Sequence, residues 1–453
     1  MNFVAFTAIA ATPLITMIET LPAAASFRDK AQQQSAFIQS HFYDSSAGLY
    51  RPWSPQKSDA NPYDFMWGNG VQLSALLGAI GYDSAKYRPI LTDFCKGLRK
   101  YWDASAAIPG FDAYWTSPGH SDKYYDDNAW LVIGFAEAYD VTKDKSYLDW
   151  AKQTEAQVLS GWDDVLGGGI YWHESRKSKN TCSNAPAATG ALCLYRWTKD
   201  KSYLDWAIKI RTWTREHLLD TDGLYWDNIN LLGEIQRTKW TYNTALMIRT
   251  DTLLYEILKD KQYLTDAQVS ADAGIKAWVD PETGAIANTA RFNHLFSEAL
   301  LRLYDVTKDT RYLNVVRAHA AYGDRYVRDP KGGYGNTWER GKNTPAAPKE
   351  MIENAGAARL LWLLAKYPDS GELMVASVSS AGKGDDAKAE SLLRDAVDSD
   401  AEAVEARYRL QKVLARRKKT KDADALVAWM RAAAASSPAV REQLAALGWK
   451  DAS

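Results

Sequence analysis

Two short phrases alternate along this chain, and together they confine its fold more tightly than any other feature. The first, Tyr139-Asp-Val-Thr-Lys-Asp-Lys-Ser-Tyr-Leu-Asp-Trp150, recurs as Tyr195-Arg-Trp-Thr-Lys-Asp-Lys-Ser-Tyr-Leu-Asp-Trp206, with looser copies from Tyr255 to Leu264 and from Tyr304 to Leu313. Each copy reads as a helix end, a polar turn and a new helix starting near Tyr-Leu. The second phrase is a glycine–aromatic loop. It occurs at Gly48-Leu-Tyr50, Gly110-Phe-Asp-Ala-Tyr-Trp115, Gly169-Ile-Tyr-Trp172, Gly223-Leu-Tyr-Trp226, Gly284-Ala-Ile286 and Gly333-Tyr-Gly-Asn-Thr-Trp338. Self-similarity at roughly 50–60 residues implies a repeated supersecondary unit.

Six helical runs lie between loop and turn, starting near Trp67, Asp126, Asn184, Tyr242, Arg291 and Glu353. They are rich in Ala, Gly and Leu nearly all round, and a helix apolar on most faces is buried. Their partners, at 26–43, 84–102, 145–161, 201–219, 261–278 and 310–327, carry charge along one side. Six buried helices alternating with six half-exposed ones predict an all-α fold, a closed (α/α)6 barrel over residues 26–368. After Tyr367-Pro368 the aromatics thin to Tyr408, Trp429 and Trp449, and Ala-rich amphipathic segments follow. Residues 369–453 therefore read as a small α-helical hairpin segment of tetratricopeptide-like type, suited to docking a protein partner. Its basic run, Arg416-Arg417-Lys418-Lys419, reads as a solvated helix end.

Residues 1–25 read as an export signal: 3–18 are mostly apolar and Ala23-Ala24-Ala25 resembles a small-residue cleavage site, although no Lys or Arg precedes Arg28. That favours a secreted, periplasmic or cell-envelope protein and leaves a cytoplasmic one open. No segment reaches the roughly 20 apolar residues of a membrane span. The 55 basic and 56 acidic residues give a net charge of −1 and no case for nucleic-acid or membrane-surface binding. Cys95, Cys182 and Cys193 show no metal spacing and imply no disulfide framework.

Inner helices that run the same way bring their N-termini, and the loops, to one mouth. The starts carry Trp67 and Asn69, Asp126 and Asp127, Asn184, Tyr242 and Asn243, Arg291 with Asn293 and His294, and Glu350, Glu353 and Asn354. Capping accounts for one polar residue per helix, but not for Trp, Tyr and Arg beside it. A sugar-binding cleft accounts for all of them, since flat aromatic faces pack on pyranose rings. The chain's 18 Trp and 25 Tyr suit it.

The acid pair lies in Tyr124-Tyr125-Asp126-Asp127-Asn128-Ala129-Trp130. Glycoside hydrolysis needs one protonated and one ionised carboxyl group, roughly 5–5.5 Å apart in a retaining enzyme. Neighbours at a helix start diverge by about 100° around the axis, which allows such a separation. Their proximity also raises one pKa.

On these residues, and on Ser183-Asn184-Ala185-Pro186-Ala187-Ala188, Trp240-Thr241-Tyr242-Asn243 and Arg291-Phe292, the chain resembles glycoside hydrolase family 76, the α-1,6-mannanases, over roughly residues 27–367. The resemblance implies an endo-acting, retaining hydrolase of α-mannan that uses no metal or other cofactor, with Asp126 as nucleophile and Asp127 as general acid/base. Trp67, Asn128, Trp172, Asn184, Tyr242, Asn243 and Arg291 are the substrate-binding candidates. The amides could instead cap helices, the tryptophans pack, and Arg291 pair with an acid. Asn243-Thr244-Ala245 and Phe292-Asn293-His294 depart from the Asn-Gln-Gly and Phe-Lys-Gly typical of the family, which puts linkage and subsite preference in question. Glu353 is the main rival carboxylate, and His173-Glu174 a weaker one. Competing functions are a transglycosylase, another sugar-active enzyme on the same barrel, such as an epimerase or unsaturated-uronyl hydrolase, and a non-catalytic glycan-binding protein.

Overall fold

The computed structural model describes residues 25–116, 122–345, 348–400 and 402–450. The expected export signal lies outside them but for its last residue. Residues 27–366 form one compact unit, an (α/α)6 barrel. Its outer helices are α1 (Phe27–His41), α3 (Ser84–Leu98), α5 (Lys145–Ser160), α7 (Lys201–Leu218), α9 (Lys261–Trp278) and α11 (Thr310–Tyr322). Its inner helices are α2 (Met66–Ile80), α4 (Tyr125–Thr142), α6 (Thr181–Thr198), α8 (Thr241–Leu258), α10 (Ala290–Thr307) and α12 (Met351–Leu364). Trp362 of α12 stacks on Tyr82 just after α2, at 5.2 Å between centroids, which closes the ring.

The repeated turn phrase works as a helix stop joined to a helix start. α4, α6, α8 and α10 end at Lys143, Lys199, Lys259 and Lys308, each in the left-handed region with φ between 57° and 60°. Each of these lysines donates its backbone N–H to the carbonyl of a tyrosine four residues back. The left-handed conformation costs a residue with a Cβ about 1–2 kcal/mol. The lysine ammonium lies over the ring of that same tyrosine, a cation–π contact that offsets part of the cost. The next residue, Asp144, Asp200, Asp260 or Asp309, then caps the following outer helix by accepting a backbone N–H.

Small residues let the inner helices approach. A Cβ on Gly134 of α4 would come within 2.5 Å of Leu73 on α2, and one on Gly190 of α6 within 2.9 Å of Val132 on α4. The inner ring also holds a buried charge network. Arg249 of α8 contacts Glu137 of α4 at 2.7 Å and Glu298 of α10 at 3.1 Å. Arg359 of α12 contacts Glu298 at 3.0 Å and Glu137 at 3.3 Å, and donates to the Ser74 carbonyl of α2 at 3.0 Å. The Thr189 and Thr250 hydroxyls, 2.9 Å apart, join α6 to α8. All six inner helices are thus tied by polar bonds inside an apolar ring.

One buried acid has no such partner. Glu155 on α5 is 1% exposed, and neither carboxyl oxygen has a hydrogen-bond partner among the described residues. Burial pushes its pKa up from 4.5 to about 8. The folded carboxyl therefore keeps a proton that the unfolded one releases, and stability falls as pH rises between those values, by at most ~1.4 kcal/mol per unit. Glu155→Gln is expected to remove that slope, so that its melting temperature gains on wild type from pH 5 to pH 8. Parallel melting curves for the two proteins across that range would contradict it.

A second compact unit begins at Tyr367. It contains α13 (Ser370–Gly382), α14 (Asp386–Asp398), α15 (Val404–Arg416), α16 (Thr420–Ser436) and α17 (Pro438–Ala446). Asp369 and Glu372 form a capping box at the start of α13, and Leu393, Leu410, Val413 and Leu414 form the core. The basic run is largely neutralised within the unit: Arg416 pairs with Asp386 at 2.8 Å, and Arg417 and Lys419 both pair with Glu390. No helix among the described residues is long and apolar enough to cross a membrane.

Candidate active site

Contacts among the inner-helix starts show that they meet at one mouth. Arg291 at the start of α10 donates to Glu353 and Glu350 at the start of α12. Phe292 of α10 stacks on Tyr242 of α8 at 4.6 Å and on Trp67 of α2 at 5.4 Å. The Cys182 thiol of α6 lies beside Asp126 on α4 and Tyr242 on α8.

The chain enters α4 through a fixed segment. Lys123, buried, bridges Asp103 and Asp112 at 2.8 Å each, and Tyr124 forms a backbone bridge with His173. Asp126 and Asp127 then occupy the first turn. Asp126 Oδ1 accepts the backbone N–H of Asp127 at 3.0 Å, and its Oδ2 accepts the indole N–H of Trp172 at 2.9 Å. Asp127 is 7% exposed, and its carboxyl makes no hydrogen bond among the described residues. Both carboxyls are shifted upward. For Asp126, burial raises the pKa while the Cys182 thiol and the Trp172 indole counter it. For Asp127, burial and the charges of Asp126 and Asp122 all raise it, and nothing opposes them. The pair is thereby divided into an acid that ionises first and one that holds its proton.

The aromatic candidates are all at this mouth. Trp172 is 42% exposed and meets Tyr124 edge-on at 5.0 Å. Trp67 is half-buried, with an indole N–H that has no partner among the described residues. Tyr242, Phe292 and Trp240 continue the wall, with Trp240 5.6 Å from Phe292. Phe292, Trp240 and Cys182 were absent from the sequence-based set, although Trp240 and Phe292 lie within phrases that carried the resemblance and Cys182 directly precedes one.

The asparagines are a correction. Asn128 accepts the Phe111 N–H at 2.9 Å and donates to the Phe111 and Tyr124 carbonyls at 2.8 and 2.9 Å. Asn184 makes the same three bonds to Ile170 and Asn180, at 2.7, 2.9 and 2.8 Å. Both are fully buried, with their amides consumed in stapling a glycine–aromatic loop to an inner helix, so neither reaches a ligand. Asn354 repeats the device on Tyr334, Asn293 donates to Ile286, and Thr244 accepts from Tyr225. Asn243 is also fully buried and donates to Asp227 at 3.3 Å.

Arg291 frames the mouth through its two glutamates, which take its Nε and Nη2 donors. Glu353, the rival carboxylate, is wholly buried and takes the backbone N–H of Arg291 at 3.0 Å besides its side chain. His294 is buried, with Nδ1 2.8 Å from the Ala290 carbonyl and its pKa lowered by burial to about 4. It fills structure, not the cleft. Glu174 docks on the Lys123 backbone.

A closed double ring of helices with two adjacent carboxyls in an aromatic mouth defines a sugar-processing (α/α)6 barrel. The profile of glycosyl hydrolase family 76 matches residues 26–311, and the chain belongs to that family. Among solved structures, it is 28% identical to a family 76 α-mannanase of Bacteroides thetaiotaomicron, with a TM-score of 0.69 over 75% of this chain and 95% of that one. To the α-1,6-mannanase of Salegentibacter sp. HEL1_6 it is 25% identical, with a TM-score of 0.66 over 75% and 99%. Among curated proteins, a mannan endo-1,6-α-mannosidase of Saccharomyces cerevisiae is 29% identical over 133 residues, 25% of this chain and 30% of that protein. The chain spans less than half the length of the curated relatives it matches.

Proposed function

We propose that this chain is an endo-acting, retaining hydrolase of α-1,6-linked mannan, with Asp126 as nucleophile and Asp127 as general acid/base. The observation that carries the reading is the asymmetry of the acid pair. Two donors hold the charge on Asp126, while Asp127 is left without a donor beside that charge. A retaining glycosidase needs that division of labour: the ionised group attacks the anomeric carbon as the protonated one gives its proton to the leaving oxygen. Asp127 then takes a proton from water, which opens the glycosyl–Asp126 ester.

The family supports the substrate class. The Salegentibacter relative is an α-1,6-mannanase, and variants of it with two aspartates replaced are inactive and bind α-1,6-linked manno-oligosaccharides. Trp67, Trp172 and Tyr242 would offer rings to the sugar chain. A polymeric substrate and the apolar N-terminal stretch both suit a protein exported to the cell envelope or beyond, and the C-terminal helices would dock a protein partner.

Product analysis on linear α-1,6-mannan tests the reading. Wild type is expected to release short oligosaccharides, initially with retained α configuration. Asp127→Asn is expected to release them about 10²–10⁴-fold more slowly, the usual worth of a general acid. A folded wild-type protein that yields no products would sink the assignment.

A further inference from the structure

We infer that Trp172 is a positioning residue for Asp126: its indole N–H, beyond any stacking by its ring, fixes the carboxylate and decides which member of the pair carries the charge. The inference rests on the reading of Asp126 as the nucleophile.

Trp172 is held from several sides. Its backbone N–H donates to Ser178 at 3.0 Å, and its carbonyl accepts the N–H of Tyr125, the first residue of α4, at 2.9 Å. On either side of it, Tyr171 donates to the Gly161 carbonyl at 3.1 Å and Glu174 to the Lys123 carbonyl at 3.1 Å. The loop bearing Trp172 is therefore bonded to the segment entering α4 and to the start of α4 itself. Tyr124 supports the ring edge-on. The 2.9 Å bond from Nε1 to Asp126 Oδ2 is thus built into the backbone path of two elements.

A sugar platform needs only a flat face, and phenylalanine or tyrosine would supply one. An indole N–H aimed at a carboxylate does something further. It favours the charged form, and it fixes Oδ2 while Asp127 N–H holds Oδ1. Of the titratable groups facing Asp126 among the described residues, the Cys182 thiol supports its charge as a donor, the others do not, and none of them is a cation. They are Asp127 on α4, Asp122 and Tyr124 before it, Cys182 on α6, Tyr242 on α8, and Asp227 beside Cys182. No Lys or Arg pairs with Asp126 among the described residues, so the Trp172 donor has no cationic substitute.

Trp172→Phe keeps a flat ring and removes the N–H. In the full-length protein labelled with 13C at aspartate carboxyls, the Asp126 signal is identified as the one missing from Asp126→Asn. Its titration midpoint is expected to rise in Trp172→Phe by about one pH unit. The acidic limb of kcat/KM on α-1,6-mannan should move up with it, and kcat should fall about 10-fold while KM stays within about 3-fold. Trp172→Ala should add a rise in KM through loss of the ring. An unmoved midpoint in Trp172→Phe, or a pH profile and kcat like wild type with only KM altered, would overturn the inference and leave Trp172 a stacking platform. A moved midpoint in a protein whose wild type does not cleave mannan would sustain the positioning role and discard the mannan hydrolase reading instead.

Discussion

Asp126→Asn is expected to stop mannan cleavage almost completely, with a loss of about 10⁴-fold or more, because without a nucleophile no glycosyl–enzyme ester forms. The decisive comparison uses an aryl α-mannoside whose leaving group needs no protonation. Asp127→Ala should still release one equivalent of phenol quickly and then stall, since the first bond breaks unaided but water is no longer activated. Asp126→Asn should release none. The same burst from both variants would overturn the assignment of roles. The pH profile follows from the shifts of the pair. Activity rises with pH as Asp126 ionises and falls as Asp127 loses its proton, and both limbs lie above the ordinary carboxylate range because both groups are raised. Removing Asp127 should abolish the alkaline limb for the aryl substrate.

Glu298→Gln is expected to destabilise the barrel by about 3–5 kcal/mol, read as a lowered urea midpoint, because it strips a buried charge from two buried arginines. Glu298 is 4% exposed, with Arg249 at 3.1 Å and Arg359 at 3.0 Å. Burial pushes its carboxyl up, but the two guanidiniums outweigh that and hold it below its usual range. A depressed folded pKa contributes stability above the unfolded value of 4.5 and loses it as the solution is acidified. Glu155 behaves oppositely, losing stability as pH rises. The wild-type protein should therefore be most stable in mildly acidic solution. Glu298→Gln should flatten the acid side of that curve and Glu155→Gln the alkaline side. A urea midpoint for Glu298→Gln equal to that of wild type would mean that the network carries no net stability.

The barrel was legible because the glycine–aromatic loops and two kinds of helix each count to six without adjustment, with the turn phrase joining four of the pairs. The acid pair was legible because its position at an inner helix start combined with a family pattern. The asparagines were misread for an instructive reason. Asn128 and Asn184 stand where a cleft residue should, at a helix start beside aromatics, but each occupies the fourth position of its helix. So do Asn69, Asn293 and Asn354 in helices that bear no acid pair. A residue type repeated at one position of the repeat belongs to the repeat, and what departs from it belongs to the site. By that rule Asp126, Asp127, Trp67 and Tyr242 remain for the proposed site. The hydrogen bond from Trp172 to Asp126 could not be read at all, since the two residues are 46 apart in sequence and meet through loop geometry alone.

The staples between fourth-position side chains and loop backbones also bear on how such a protein can change over time. Each staple grips main-chain atoms of Phe111, Ile170, Tyr225 or Tyr334, leaving the side chains that follow in the same loop, Asp112, Tyr171 and Trp172, Trp226, or Asn336, outside its grip. The mounting is thereby separated from the tool it carries. A lineage built on this scaffold can exchange one loop's side chains without re-registering the helix beneath, and the five other loops stay where they were. Divergence in glycan preference can then proceed one loop at a time on an unaltered frame.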